Sequence, residues 1–177
     1  NRVAREVGRL TYTQLLNSRG GIEADLTVAR LAEDHFYIVT GTGFRTHDYG
    51  WIADHLPADG VTFRDVTEDW GTLSLMGPRA RDILAKVAMA DVSNAALPFG
   101  SARDISIAGV STRALRVTYV GELGWELHIP IADLGTVYDA LSAADADLRP
   151  VGYRALESLR LEKGYRAWSS DITPNDT

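Results

Sequence analysis

Two carboxylates and a phenol occupy the positions in this chain where chemistry could be done. The run Val117-Thr118-Tyr119-Val120-Gly121-Glu122-Leu123-Gly124-Trp125-Glu126-Leu127 is strand-like on both sides of a glycine-bounded turn. With Gly121 and Gly124 supplying φ > 0, the turn is expected to be tight, so that Tyr119 and Glu126, seven positions apart, stand close in space. A carboxylate at such a mouth accepts two parallel N–H bonds from an amidine-like edge, while Tyr119 or Trp125 offers a flat stacking face. The alternative is a hairpin whose Glu126 is simply solvated. The second candidate lies in Gly20-Gly21-Ile22-Glu23-Ala24-Asp25-Leu26-Thr27-Val28. Strand alternation puts Glu23, Asp25 and Thr27 on one face and Ala24, Leu26 and Val28 on the other. The glycines would let a ligand approach the backbone, with Asp25 as proton acceptor or counter-charge and Thr27 as hydroxyl partner. An exposed sheet face would carry the same pattern.

These residues need elements to hold them. Hydrophobic periodicity predicts strands over Leu10 to Leu16 and Ile22 to Leu31, joined across Asn17-Ser18-Arg19-Gly20-Gly21, then a strand from His35 to Thr40. A helix is expected over Thr46 to Leu56, capped by Thr46, with Tyr49, Ile52, Ala53 and Leu56 inward, followed by strands Val61 to Thr67 and Gly71 to Met76. Pro78 fits a first helical position, giving a helix to Val87 with Ile83, Leu84 and Val87 inward. A hairpin about Gly109 joins Ile105 to Ala108 with Thr112 to Tyr119, and Glu126 to Ile131 returns from the turn. Asp133 caps a helix through Ala143, and a last helix runs from Val151 to Lys163, closed by Gly164. The order predicts α+β architecture, antiparallel sheets with packed helices. The Ala-rich, charged stretch Ser142 to Arg149 reads as a linker, dividing lobes at 1–145 from a helix and tail at 146–177.

Composition excludes several classes of function. The 177 residues carry 18 Lys and Arg against 24 Asp and Glu, a formal charge of −6, which argues against a general nucleic-acid or anionic-membrane binder. Without cysteine there are no disulfides, zinc-thiolate sites or thiol catalysis, which fits a reducing compartment. No apolar run approaches a membrane span, and neither end reads as a natural terminus, so a fragment of a larger chain is expected. The four histidines, His35, His47, His55 and His128, lack metal-like spacing, and no metal is expected. Gly41-Thr42-Gly43 lacks the rest of a dinucleotide or phosphate-loop fingerprint and reads as a strand-to-helix turn. Arg79 and Arg81 on a first helical turn either contact a carboxylate elsewhere or are solvated, with solvation the default, and Glu157 with Arg160 reads as a surface ion pair.

Four ordered segments carry a family resemblance: Asn17 to Val28, Leu73-Ser74-Leu75-Met76-Gly77-Pro78, Tyr119 to Glu126, and Ser158-Leu159-Arg160-Leu161-Glu162-Lys163-Gly164-Tyr165-Arg166. Together they resemble the folate-binding aminomethyltransferases, the glycine cleavage T protein family, over nearly the whole chain. Leu31-Ala32-Glu33-Asp34, Gly152-Tyr153-Arg154-Ala155-Leu156 and Lys163 to Ile172 resemble more closely the C-terminal, tetrahydrofolate-binding part of dimethylglycine and sarcosine dehydrogenases. The resemblance implies part of the aminomethyltransferase folate-binding fold. It also implies tetrahydrofolate as cofactor and an FAD-binding module upstream. The place of work would be the cytoplasm, or the mitochondrial matrix in a eukaryote.

By the same resemblance, Asp25 falls on the catalytic aspartate, which assists attack of a folate nitrogen on a one-carbon iminium or formaldehyde unit. Thr27 falls on a folate contact, and Tyr119 and Glu126 on the pterin-binding pair, with Trp125 beside them. The chain departs from T proteins in having Ala24 before Asp25 and Leu156 where an arginine binds the folate tail; Arg154 is the substitute nearest in sequence. Both departures favour the dehydrogenase branch. The implied activity is acceptance of a one-carbon unit from an oxidised N-methyl amine, giving 5,10-methylenetetrahydrofolate. The alternatives are a T protein-like aminomethyltransferase or a non-catalytic, folate-sensing regulatory relative.

Overall fold

A computed structural model describes residues 1–176. Its first sheet has three antiparallel strands in chain order, β1 (Leu10–Leu16), β2 (Ile22–Arg30) and β3 (Phe36–Val39). The alternation expected in β2 is realised: Ala24, Leu26 and Val28 are buried against Leu15, Ile38 and Ile52 of helix α1 (Arg45–Asp54). The second sheet orders its strands β4-β7-β6-β5, where β4 is Trp70–Met76, β5 Ala102–Ile107, β6 Val110–Leu115 and β7 Gly124–Pro130. Helices α2 (Ala80–Val87) and α3 (Leu134–Ala144) cover one face of it, burying Ile83, Leu84, Val137 and Leu141 against Leu75, Ile107, Trp125, Leu127 and Ile129. A smaller apolar cluster of Leu10, Ala29, Ala102 and Leu115, with Tyr37 and Val39, glues the two sheets together. Backbone bonds Leu10 N–H to Gly100 O (2.8 Å) and Ala102 N–H to Gly8 O (2.7 Å) stitch the same seam.

The segment after the last helix, α4 (Tyr153–Glu162), returns to the first sheet and to the loop before β7. Ile22 N–H bonds Asp176 O at 3.2 Å. A Cβ on Gly121 would sit 2.0 Å from Lys163 Cγ, so only glycine lets that lysine stem cross here.

Several expected boundaries are corrected. Residues 61–66 form no strand: Val61 is exposed, and Asp65 instead accepts from Arg45 Nε (2.6 Å) and Thr67 N (2.9 Å) to shape a 3₁₀ turn at Thr67–Asp69. Strand β6 stops at Leu115, because Val117 N–H turns back to Leu115 O (3.0 Å) and Val120 N–H is taken by Thr118 Oγ1 (3.3 Å). The β6–β7 connection is therefore a broad loop over 116–123, with positive φ at Gly121 (76°) but not at Gly124, whose missing Cβ instead admits Met76. Thr46 does not cap α1, which follows a 3₁₀ turn at Thr42–Phe44, and its buried residue is Asp48, while Tyr49 faces solvent. Pro78 precedes α2 by two residues, and Asp133 sits at the N-cap of α3 without a side-chain bond. Arg79 is not merely solvated; it pairs with Asp145 and, at 3.3 Å, Asp147. Arg81 bonds Val92 O (3.1 Å) and Asn94 Oδ1 (2.5 Å). Lys86 also reaches Asp145 (3.4 Å), so the stretch read as a linker is pinned to α2.

Candidate functional site

Sheet register decides which side chains share a surface, since directly opposed residues project to the same face. Tyr12 and Val39 flank Thr27, Gln14 lies opposite Asp25, and Leu10 and Tyr37 flank Ala29. Because Ala29 and Leu10 belong to the inter-sheet cluster, Asp25 and Thr27 are on the face of the first sheet turned toward the second. On the second sheet, Leu115 lies opposite Glu126, and Thr72 and Arg113 lie opposite His128. Leu115 is in the same inter-sheet cluster, so Glu126 and His128 face the first sheet. Asp25 and Glu126 thus rise from facing surfaces.

Asp25 is not a free carboxylate. Tyr12 donates its hydroxyl to Asp25 Oδ2 at 2.5 Å. Burial, then the bond to Asp25, push the Tyr12 phenol up from 10.0 to about 12, because ionising it would bring a second negative charge against the aspartate. Sequence reasoning missed Tyr12, although the Asn17–Gly21 hairpin fixes a register that places it diagonal to Asp25. A raised phenol pKa stabilises the fold below the unfolded-state value near pH 10 and loses that contribution as pH climbs toward 12. Difference absorbance of wild type against Tyr12→Phe is expected to isolate a tyrosine titrating near 12. The midpoint should fall in Asp25→Asn; a midpoint unmoved by that change would disprove the coupling.

Beside Asp25 lies a narrow crevice of about 10 Å³, the room of about one water molecule, walled by Ala24, Asp25, Phe44, Asp48 and Trp168. The Phe44 and Trp168 rings lie 5.2 Å apart, and Trp168 Nε1–H is buried without a partner. Behind the wall, Asn17 Nδ2 donates to Glu23 Oε1 (2.7 Å) and His47 bridges Glu23 (3.6 Å) and Asp48 (2.9 Å). Thr40 donates its hydroxyl to Asp48, which is 2% exposed.

The segment carrying Trp168 is anchored by an arginine that the sequence does not distinguish from a surface residue. Arg160 is 3% exposed, which corrects the expectation of surface pairing. Its guanidinium donates to Glu157 Oε2 (2.7 Å), Tyr165 O (2.8 Å) and Asp171, and Asp171 also accepts from Ala167 N (2.9 Å). The bond to Ala167 and the arginine hold the Asp171 carboxyl below its ordinary range. Arg154, by contrast, is exposed on α4 with no ion-pair partner among the described residues. Tyr119 sits under this assembly: burial raises its phenol pKa, Arg160 pulls it down, and Glu157 and Tyr153 add to the rise.

Tyr119 and Glu126 were expected side by side; no hydrogen bond joins them among the described residues. The charged neighbours of Tyr119 are those of α4 and the tail, whereas Glu126 stands by His128 (3.8 Å) and Tyr37. The Glu126 side chain is about a quarter exposed (26%) and engaged by no arginine or lysine, so its carboxylate has acceptor capacity to spare. Trp125 is corrected outright. Alternation turns it away from Glu126 into the core, where it is 0% exposed and covered by Arg116 (4.6 Å) and Arg81 (5.7 Å). It offers no face to a ligand. Among the described residues no group of three His, Asp or Glu side chains is placed to hold a metal ion.

Two antiparallel sheets joined by an apolar seam, the second covered on its other face by two helices, define the class of domain. The chain belongs to the GCVT N-terminal domain family, whose model matches residues 1–177. Its fold matches the glycine cleavage system aminomethyltransferase T of Bartonella henselae with a TM-score of 0.81 at 29% identity, covering 96% of this chain and 45% of that one. It is 42% identical to human mitochondrial sarcosine dehydrogenase over 99% of this chain and 21% of that one. It is 34% identical to mouse mitochondrial dimethylglycine dehydrogenase over 96% of this chain and 20% of that protein. The chain therefore spans about a fifth of these two relatives' length. No helix among the described residues is long and apolar enough to cross a membrane.

Proposed function

We propose that this chain is a tetrahydrofolate-binding module that receives a one-carbon unit from an oxidised N-methyl amine and yields 5,10-methylenetetrahydrofolate. The observation that carries the reading is the pair of carboxylates, Asp25 and Glu126, rising from facing sheet surfaces in a domain of the aminomethyltransferase family. Bound tetrahydrofolate would supply the nucleophilic nitrogens that take up the one-carbon unit. Glu126 would hold the pterin ring by accepting from its N–H and amino group, as a partly exposed carboxylate without a cationic partner is suited to do. Thr27 would add a hydroxyl contact and Tyr119 a ring edge.

As the folate nitrogens form their C–N bonds to the one-carbon unit, its bond to the donor amine breaks and the amine leaves carrying one folate proton, while Asp25 would take the other, with the Tyr12 hydroxyl fixing which carboxylate oxygen is free. The buried Trp168 Nε1–H, lacking a partner in the cleft wall, fits a ligand acceptor there. Arg154 would meet the anionic glutamate tail from the exposed side of α4. Gly41-Thr42-Gly43 forms only the turn into α1, so FAD, which would generate the oxidised amine, is assigned to a separate module of the longer protein.

Isothermal titration of the full-length protein with 5-formyltetrahydrofolate tests the reading. Glu126→Ala is expected to weaken binding by roughly 2 to 4 kcal/mol, the loss of a charged bond in a partly desolvated site. Wild-type affinity in that variant would overturn the assignment.

A further inference from the structure

We infer that His128 is a positioning residue for Glu126, with its Nε2–H aimed at the carboxylate. The inference rests on the reading of Glu126 as a ligand-binding group, and it starts from a buried histidine that this reading leaves without a task. His128 is 3% exposed and lies two residues from Glu126 on the same face of β7. One flanking strand, β4, and the opposite sheet converge on one nitrogen. Nδ1 is 3.1 Å from the Tyr37 hydroxyl and 3.4 Å from Thr72 Oγ1, and the Tyr37 ring stands edge-on to the imidazole at 5.5 Å. Nε2 is buried with no partner, and Glu126 Oε2 lies 3.8 Å away.

One tautomer conflicts with these surroundings. A proton on Nδ1 alone would point the bare lone pair of Nε2 at a carboxylate, a repulsion with nothing to offset it. The other tautomer satisfies both nitrogens: Tyr37 donates to Nδ1, and Nε2–H faces Glu126. Glu126, which can only accept, fixes the tautomer, and the Tyr37 and Thr72 hydroxyls, which can donate or accept, adapt to it. A shift of less than about an ångström converts 3.8 Å into a hydrogen bond. His128 would then hold one oxygen of Glu126 and leave the other directed at the ligand.

The donor position can be tested by which amide restores it. A glutamine at 128 puts an N–H near the place of Nε2, whereas an asparagine reaches only as far as Nδ1. In the full-length protein, His128→Leu and His128→Asn are expected to weaken 5-formyltetrahydrofolate binding about tenfold or more, and His128→Gln to stay within about threefold of wild type. The ¹⁵N spectrum of His128 should show the proton on Nε2, with a resonance that moves in Glu126→Ala. Loss of binding in His128→Gln equal to that in His128→Leu would mark a purely structural role and overturn the inference. So would wild-type binding in His128→Leu, or a proton on Nδ1. If Glu126→Ala itself binds like wild type, the pocket reading fails on its own, while the ¹⁵N response still reports whether His128 engages Glu126.

Discussion

Trp125→Ala is expected to lower the domain's unfolding free energy by about 3–5 kcal/mol, the range for emptying a large aromatic site in a core. The indole is 0% exposed and packs among Leu75, Leu127 and Ile129, so the structure has little freedom to collapse around the gap. Its removal also uncovers Arg116, which is 7% exposed and bonds only Gly124 O (3.2 Å) in addition to lying over the ring. A buried guanidinium without that face beneath it is poorly solvated, and its pKa is already held down by desolvation, then by Arg81. Trp125→Phe, which keeps an aromatic face and most of the volume, should cost visibly less. Urea unfolding followed by the domain's own transition measures the difference. A variant that unfolds like wild type but fails to bind folate would restore Trp125 as a stacking surface.

Asp25→Asn is expected to slow one-carbon transfer by about 10²- to 10⁴-fold, the usual contribution of a positioned general base. The substitution is isosteric, and an amide oxygen still accepts from Tyr12, so the cleft keeps its shape while losing its negative charge. Folate affinity should therefore change little, in contrast to Glu126→Ala, whose defect lies in binding. Product formation in the full-length protein, measured with the oxidised amine generated in place, separates the two. Undiminished turnover in Asp25→Asn would remove the catalytic reading and favour a regulatory relative that binds folate without chemistry.

How far these residues could be read in advance depended on whether local pattern or distant partners set their environment. The strand at Ile22–Arg30 was legible because period-2 alternation and a glycine loop determine both its face and its register. The same alternation separates Trp125 from Glu126; the family motif that joins them in sequence obscured it. Arg160 was not legible. A Glu157–Arg160 pair at i, i+3 looks identical on an exposed helix and under a folded-back tail, and only Asp171, eleven residues on, makes it a buried anchor. Asp48 was hidden likewise, because its burial depends on Thr40 and His47 rather than on helical periodicity. Val61 to Thr67 had strand composition but no edge to pair with, and composition alone does not supply one.

The cleft beside Asp25 is closed by Trp168, a residue about 140 positions later in the chain. During synthesis at roughly 5–20 residues per second, Asp25 and Tyr12 would leave the ribosome many seconds before their wall exists. The first sheet can form early, since its contacts are local, but the site can mature only when α4 emerges and Arg160 captures Asp171. Until then the acid lacks its indole wall, while its phenol stays more than half exposed (56%) even in the finished fold. The order in which the chain is made thus gives the scaffold first and the reactive enclosure last.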